Sequence, residues 1–424
     1  MTKVGEVFVP GGQPSVTYNP RDDLHLEQKV QDYLDERHRI LSLSGPTKCG
    51  KTVLLKRVVP GEAIWISGGA IGTAKDFWAS AADKLGLHDQ EESSAGVEET
   101  ETTGAEGGAS GGLPAGVLTV DGRAKRGESV TSTGGRKYSR RRPMLNVVAD
   151  ELRATLTPVV VDDFHYLPQK VQLEIVRGLK ELVFDGVPVI FASVPHRAFD
   201  AVRVEREMTG RVEQVPIGFW SEDELAGIAT SGIAALNATI EGHVVERLIE
   251  EAFKSPHLMQ DFCLQLCKAS GVREAQEDVQ PVVAANWPEF FAARAPGASK
   301  SAFDLLIQGP RQRSDRMERI LVDGTVTDIY GLVLAGIAAT GPLTELGYTE
   351  LRGSIKEVSR TDPPAHHEVT RVLEKMSGIA RDNIEGEPVV DYDDERNTLF
   401  ISDPFFAFYL RWGTDPPLAA VRPT

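Results

Sequence analysis

The residues of this chain best equipped for chemistry are Gly45-Pro46-Thr47-Lys48-Cys49-Gly50-Lys51-Thr52, which fit the P-loop pattern G-x-x-x-x-G-K-[ST] at every fixed position. A loop of this kind curls successive backbone N–H groups around a phosphate, and glycine at each end admits the tight turn without a Cβ clash. Lys51 is spaced to reach the outer phosphates of a polyphosphate, and Thr52 offers a hydroxyl to a divalent cation. The helix that opens there, with Val53 in its first turn, points its positive end at the anion.

A phosphate loop needs a carboxylate to hold its cation. The run Pro158-Val159-Val160-Val161-Asp162-Asp163-Phe164-His165-Tyr166 supplies one: a hydrophobic stretch ending in acid reads as a buried central strand whose C-terminal end meets the ligand. Asp162 is expected to hold Mg²⁺, directly or through water, and Asp163 to orient the attacking water. His165 either relays the occupancy of the site or packs.

Further polar residues fall where strands of such a sheet end. Val187-Pro188-Val189-Ile190-Phe191-Ala192 reads as another buried strand, and Ser193 at its end is placed to sense the outermost phosphate, with His196 and Arg197 as alternates. Arg206 and Arg211 stand ahead of or opening a fifth strand, where an arginine finger, an inter-subunit contact or a surface ion pair could be built. Pro256 and His257 lie at a helix junction, Lys254-Ser255-Pro256-His257, and either face the nucleotide or merely start the helix, as proline commonly does. Tyr18 and Arg21, in the Pro/Gly-rich arm before the P-loop strand, have two readings: contacts to base and ribose, or packing of the arm.

The elements that must position these residues follow in order. Ile40-Leu41-Ser42-Leu43 enters the loop as a strand, and Thr52 to Lys56 leaves it as an apolar-periodic helix. Ala63-Ile64-Trp65-Ile66 is a second strand, and Thr73 caps a helix that buries Phe77, Trp78, Ala81 and Leu85. Ser221-Glu222-Asp223-Glu224 is a capping box opening a helical subdomain. Beyond it, three short helices, two strands joined by Asp-Asp-Glu-Arg-Asn and an aromatic helix from Asp403 to Trp412 read as a winged helix whose last element must dock on a core.

The expected fold is therefore α/β: a three-layer αβα domain with a parallel sheet over residues 1–220, a helical lid over 221–292 and a winged helix over 299–424. Residues 89–142 depart from this plan. An acidic Gly/Ser/Thr/Glu-rich half is followed by a basic half containing Arg123, Lys125, Arg126, Arg136, Lys137, Arg140, Arg141 and Arg142, and the segment reads as a flexible insertion.

Composition sets outer bounds. The chain has 424 residues, enough for two or three cores, and its formal charge of −16 argues against a protein that coats nucleic acid. Three cysteines, one of them Cys49 inside the loop, give no disulfide framework, and no signal segment or long apolar run points to a membrane, so a reduced, cytoplasmic setting is expected.

Together Gly45 to Thr52, the VVVDDFHYL stretch, the SPHLMQ junction and the terminal LFISDPFFAFYLRW resemble the STAND-type branch of AAA+-related P-loop ATPases, particularly the archaeal-type ATPases with a C-terminal winged helix. The likeness spans most of the chain apart from 89–142. It implies ATP and Mg²⁺ as ligands, with Lys51 and Thr52 on phosphate and metal, Asp162 on metal and Asp163 where many relatives carry a second acid, often glutamate. Lys254 stands where the relatives' Gly-x-Pro motif has its glycine, which weighs against the Pro256 contact. The resemblance also implies the additional-strand (ASCE) topology, with the Ile190 strand between the P-loop and Asp162 strands.

The implied function is a slow ATPase working as a conformational switch in signalling or defence, with a protein partner or self-association. The alternative is a DNA-associated ATPase resembling initiator or transposition-regulator proteins, acting through the winged helix and the basic insertion. DNA is the less favoured partner because the third helix of the winged region is nearly charge-balanced.

Overall fold

The structure is a computed structural model and describes residues 1–87, 143–194, 210–310, 317–384 and 388–422. The 89–142 insertion, His196, Arg197 and Arg206 lie outside the described residues.

Five strands, β1 (Ile40–Ser44), β2 (Ile64–Ser67), β3 (Val159–Asp162), β4 (Val189–Ser193) and β5 (Val212–Pro216), form one parallel sheet in the order β2-β3-β4-β1-β5. Alternate side chains go to opposite faces, as the two-residue period of a strand requires. Leu41, Leu43, Val160 and Ile190 join the core on one side, while Val159, Val161, Val189 and Phe191 join the core on the other with Phe77, Trp78, Ile175 and Leu179. Helices cover both faces, so the domain is the expected αβα sandwich, and β4 lies between the P-loop strand and the acid strand.

Parallel register brings the C-terminal ends of these strands to one edge. Ser44 pairs with Ser193, and Ser67 with Asp162. The loops that follow β1, β3 and β4 therefore share a rim, where an open α/β sheet places its ligand.

The predicted capping box is present: Ser221 accepts from the Glu224 N–H and Glu224 accepts from the Ser221 N–H, opening the helix Glu222–Ala235. Gly242–Glu251 and Pro256–Ala269 follow in the region expected to be the lid, along with a small parallel pair, Ala238–Ile240 and Gln280–Val282, that the sequence does not predict. In the C-terminal region, helices Ile329–Ala339, Tyr348–Val358 and His366–Asn383 accompany the hairpin Val390–Asp393 and Thr398–Ile401. A third strand, Glu345–Gly347, pairs with Thr398–Ile401.

The aromatic helix Pro404–Trp412 docks as its composition demands. Phe408 packs on Phe262 and Phe291, Trp412 packs on Phe291, and the Trp412 indole N–H donates to Glu251 at 2.6 Å. One continuous apolar core thus runs from β1 through the lid to this helix.

Candidate functional site

The P-loop is pinned from both sides. The Gly45 N–H donates to the Ser193 carbonyl at 3.1 Å, and the Ile217 N–H donates to the Ser44 carbonyl at 2.6 Å. A Cβ at Gly45 would lie 2.7 Å from the Ile217 oxygen and 2.8 Å from the Cys49 sulfur, so this first glycine is required by close approach. Gly50 is required by conformation, with φ +99° immediately before the helix Lys51–Val58. Lys48 also holds a left-handed φ of +61°, a strain of order 1 kcal/mol for a residue with a side chain.

Inside this ring the Lys51 ammonium is buried and donates to the loop's own carbonyls, Gly45 at 2.7 Å and Pro46 at 2.9 Å. Thr52 donates its hydroxyl to Asp162 Oδ2 at 2.7 Å, and Asp162 Oδ1 accepts from the Asp163 N–H at 3.1 Å. Phosphate loop and acid strand thus meet at one point, as the sequence reading requires. Asp163 turns through a left-handed φ of +55° and lines the cavity above the loop. Burial, and then the neighbouring Asp162 charge, push its carboxyl above the usual range, against the opposing pull of Lys51 and Lys48. Gly68, at the end of β2, makes room for this turn: a Cβ there would lie 2.3 Å from the Asp163 carbonyl oxygen.

Ser193 sits at the predicted strand end, its carbonyl under the loop and its hydroxyl buried without a hydrogen-bond partner among the described residues. Arg211 is different. Its carbonyl accepts from the Ile40 N–H, so it flanks the start of β1 at the edge of the sheet opposite the P-loop, with its guanidinium 6.0 Å from the exposed Phe184 ring. A strand of five residues spans about 16 Å. Within one chain the structure does not bring Arg211 to Lys51, because it precedes a parallel strand while the ligand edge follows it.

A cavity of about 380 Å³, ordinary for a small-molecule site, opens from the P-loop between the N-terminal arm and the lid. Thr47 to Leu54 line it from the P-loop, and Val9, Leu26, Ile217, Trp220 and Ile228 give it apolar surface. Tyr18 and Arg21 both line it but are engaged by protein groups. Tyr18 donates to Glu27 at 2.7 Å under the Arg57 guanidinium. Arg21 donates to Glu224 at 2.8 Å, the Gly218 carbonyl at 3.0 Å and the Phe219 carbonyl at 2.8 Å. Of the two readings, the Arg21 contacts match arm packing.

Pro256 and His257 line the cavity from the lid. The His257 ring meets Phe405 edge-on at 4.9 Å, so the start of the C-terminal aromatic helix touches a wall of the cavity. Burial lowers the His257 pKa, the Lys48 charge lowers it further, and Asp261 opposes both. Burial also lifts the Asp403 carboxyl while Lys48 works against that lift, so the loop cation acts on the cap of the same aromatic helix.

Among the cavity residues not singled out from the sequence are Trp220, whose indole N–H donates to the Cys49 carbonyl at 2.9 Å, and the buried pair Thr17 and Gln260. A tryptophan directly before a capping box was a faint signal, and nothing local marked the other two. Among the described residues no cluster of three or more His, Cys, Asp or Glu could hold a metal. Thr52 and Asp162 are a partial set, which fits Mg²⁺ because that ion takes much of its coordination from phosphate and water.

No family model and no curated protein matches the chain. Among solved structures, the Walker-type ATPase of Pyrococcus abyssi aligns over 93% of this chain and 95% of its own, with TM-score 0.51 and 13% identity. The fold is that of a P-loop NTPase. The Aeropyrum pernix ORC2 protein, solved as ADPNP and ADP complexes, aligns over 95% of both chains with TM-score 0.49 and 13% identity. The Thermotoga maritima RuvB Holliday junction branch migration motor covers 89% of this chain and 91% of its own, with TM-score 0.38 and 12% identity. At such identities the likeness is one of fold. Among the described residues no helix is long and apolar enough to cross a membrane.

Proposed function

We propose that this protein binds ATP with Mg²⁺ between the α/β sheet and the lid, hydrolyses it slowly, and works as a conformational switch in signalling or defence. The observation that carries the reading is the 2.7 Å bond from Thr52 to Asp162, which joins the phosphate loop to the acid strand in the pairing a Mg²⁺–triphosphate needs. The buried Lys51 ammonium fits the same ligand, since it is already satisfied by two loop oxygens that phosphate oxygens can replace.

Bound Mg²⁺ would neutralise charge on the phosphates. The rest falls to the chain itself. Lys51 and the loop N–H groups hold the phosphates, Thr52 and Asp162 hold the metal, and Asp163 orients water with a carboxyl that takes up a proton more readily than an exposed one. In this reading the C-terminal helices and three-stranded sheet are a winged helix that reports occupancy, supported by the Phe405 contact on His257. The helix His366–Asn383 carries Arg371, Lys375 and Arg381 against Glu368, Glu374 and Asp382, a balance that favours a protein partner over DNA.

The test is titration with MgATP of the full chain and of Lys51→Ala, alongside phosphate release over hours. Affinity and turnover should fall roughly 100-fold or more in the variant. Unchanged binding and turnover would remove the proposal.

A further inference from the structure

The N-terminal arm that lines the cavity is anchored at both ends. Toward the N-terminus, the Val4 N–H donates to the Arg273 carbonyl at 2.9 Å and the Ala275 N–H donates to the Thr2 carbonyl at 2.8 Å. On its far side, Arg21 is held by the Gly218 to Glu224 junction. Between these anchors the arm passes Gly11, where an added Cβ would be 3.1 Å from the His257 ring, so the chain runs tight against the lid.

The middle of this span is tied by a buried chain of polar groups. The Val9 N–H donates to Gln260 Oε1 at 3.0 Å, Gln260 Nε2 donates to the Thr17 hydroxyl at 2.7 Å, and that hydroxyl donates to the Val7 carbonyl at 2.8 Å. Gln260 is 4% exposed and Thr17 is 2% exposed, yet both line the cavity. A lid side chain therefore sets the course of the arm at two points, on either side of the Gly11-Gly12 turn. Without it, the arm would keep its outer anchors and lose the tie over the cavity.

The chemistry of the lining is mixed. Around Lys51 the lining is cationic and rich in loop backbone, suited to phosphate; from the arm and the helix Glu222–Ala235, Val9, Leu26 and Ile228 add apolar lining, suited to the flat faces of a nucleobase. We propose that Gln260 is a positioning residue for the base of a bound nucleoside triphosphate, acting by holding the Val9 to Thr17 arm against the base end of the cavity. The inference rests on the nucleotide reading of the P-loop given above.

The experiment compares two probes on the full chain: MgATP and Mg²⁺–tripolyphosphate, which has the phosphates and no base. In the unaltered protein ATP should bind more tightly than tripolyphosphate. Gln260→Leu should weaken ATP roughly tenfold or more and leave tripolyphosphate within about twofold, because only the base end loses its wall. Thr17→Val, which cuts the other half of the chain at nearly constant volume, should give the same split, while Thr17→Ser should restore ATP affinity. Melting curves establish that each variant is folded, and if Gln260→Leu is not, Thr17→Val carries the test. Equal losses for both probes, no loss for ATP, or an unaltered protein that binds ATP no better than tripolyphosphate overturns the inference. An unaltered protein that binds neither probe removes the nucleotide reading itself.

Discussion

Thr52 and Asp162, 110 residues apart in sequence, share a 2.7 Å hydrogen bond from the threonine hydroxyl to the aspartate carboxylate. Two variants test its meaning. Thr52→Val and Asp162→Asn should each lower affinity for MgATP by about 100-fold while changing metal-free ATP binding far less, because each removes an oxygen meant for the cation. Isothermal titration with and without Mg²⁺ reads the difference. Equal losses in both conditions would mean that the pair braces the loop and does not serve a metal.

Asp163 should separate binding from turnover. Asp163→Asn keeps the shape of the turn and removes the charge, so ATP binding should persist while phosphate release falls about 100-fold. Its carboxyl lies above the usual range, so the folded protein holds this proton more tightly than the unfolded chain does. Stability from this group is therefore greatest at low pH and declines as pH rises from the ordinary carboxylate value through the raised folded one. The nucleotide-free Asp163→Asn protein should melt higher than the parent at neutral pH, and a lower melting temperature would contradict the assignment.

Arg21 and Glu224 give the opposite pH signature. Burial pushes the Glu224 carboxyl up, but the Arg21 bond and charge, with bonds to Ser221, outweigh it and hold the group below its ordinary value near 4.5. A depressed folded pKa contributes stability that is present above the unfolded value and lost as pH falls through the folded one. Arg21→Gln should cost about 2 kcal/mol at pH 7 by urea unfolding, since it frees two part-buried carbonyls as well as the acid. The gap between variant and parent should narrow below about pH 4.5. A gap independent of pH would show that packing alone is at stake.

Glu251 ties the lid to the aromatic helix. It is fully buried, accepts from the Trp412 indole, and pairs with Arg247 and Arg411 at 3.0 Å each. Glu251→Ala should destabilise the protein by about 3 kcal/mol, because two half-buried arginines and an indole lose their common acceptor. Glu251→Gln, which keeps an oxygen for the indole, should cost less. Equal costs for the two variants would assign the effect to packing.

Much of this architecture was legible in the residues because its signals are local. Gly45 to Thr52 and the run ending at Asp162 each carry their chemistry in a few consecutive positions, and the Ser221 capping box marks a helix start within four residues. The position of β4 between β1 and β3 came from resemblance, since strand order depends on crossovers that no short window records. Arg211 lies away from the P-loop of its own chain because it opens a parallel strand, and ligands gather where such strands end. Gln260 and Thr17, 243 residues apart, and Glu251 and Trp412, 161 apart, were out of reach because each pair is defined by its partner and by no pattern of its own.

The tight approach of Gly68 to Asp163 extends the demands of the site to a position with no side chain to offer. Even a single methyl at 68 must push the backbone that aims the acid, since the nearest neighbour is a peptide oxygen and cannot rotate away. A saturation screen scored for turnover would single out this glycine as sharply as Lys51, and only a measurement of nucleotide affinity, retained at one position and lost at the other, would tell the bystander from the participant.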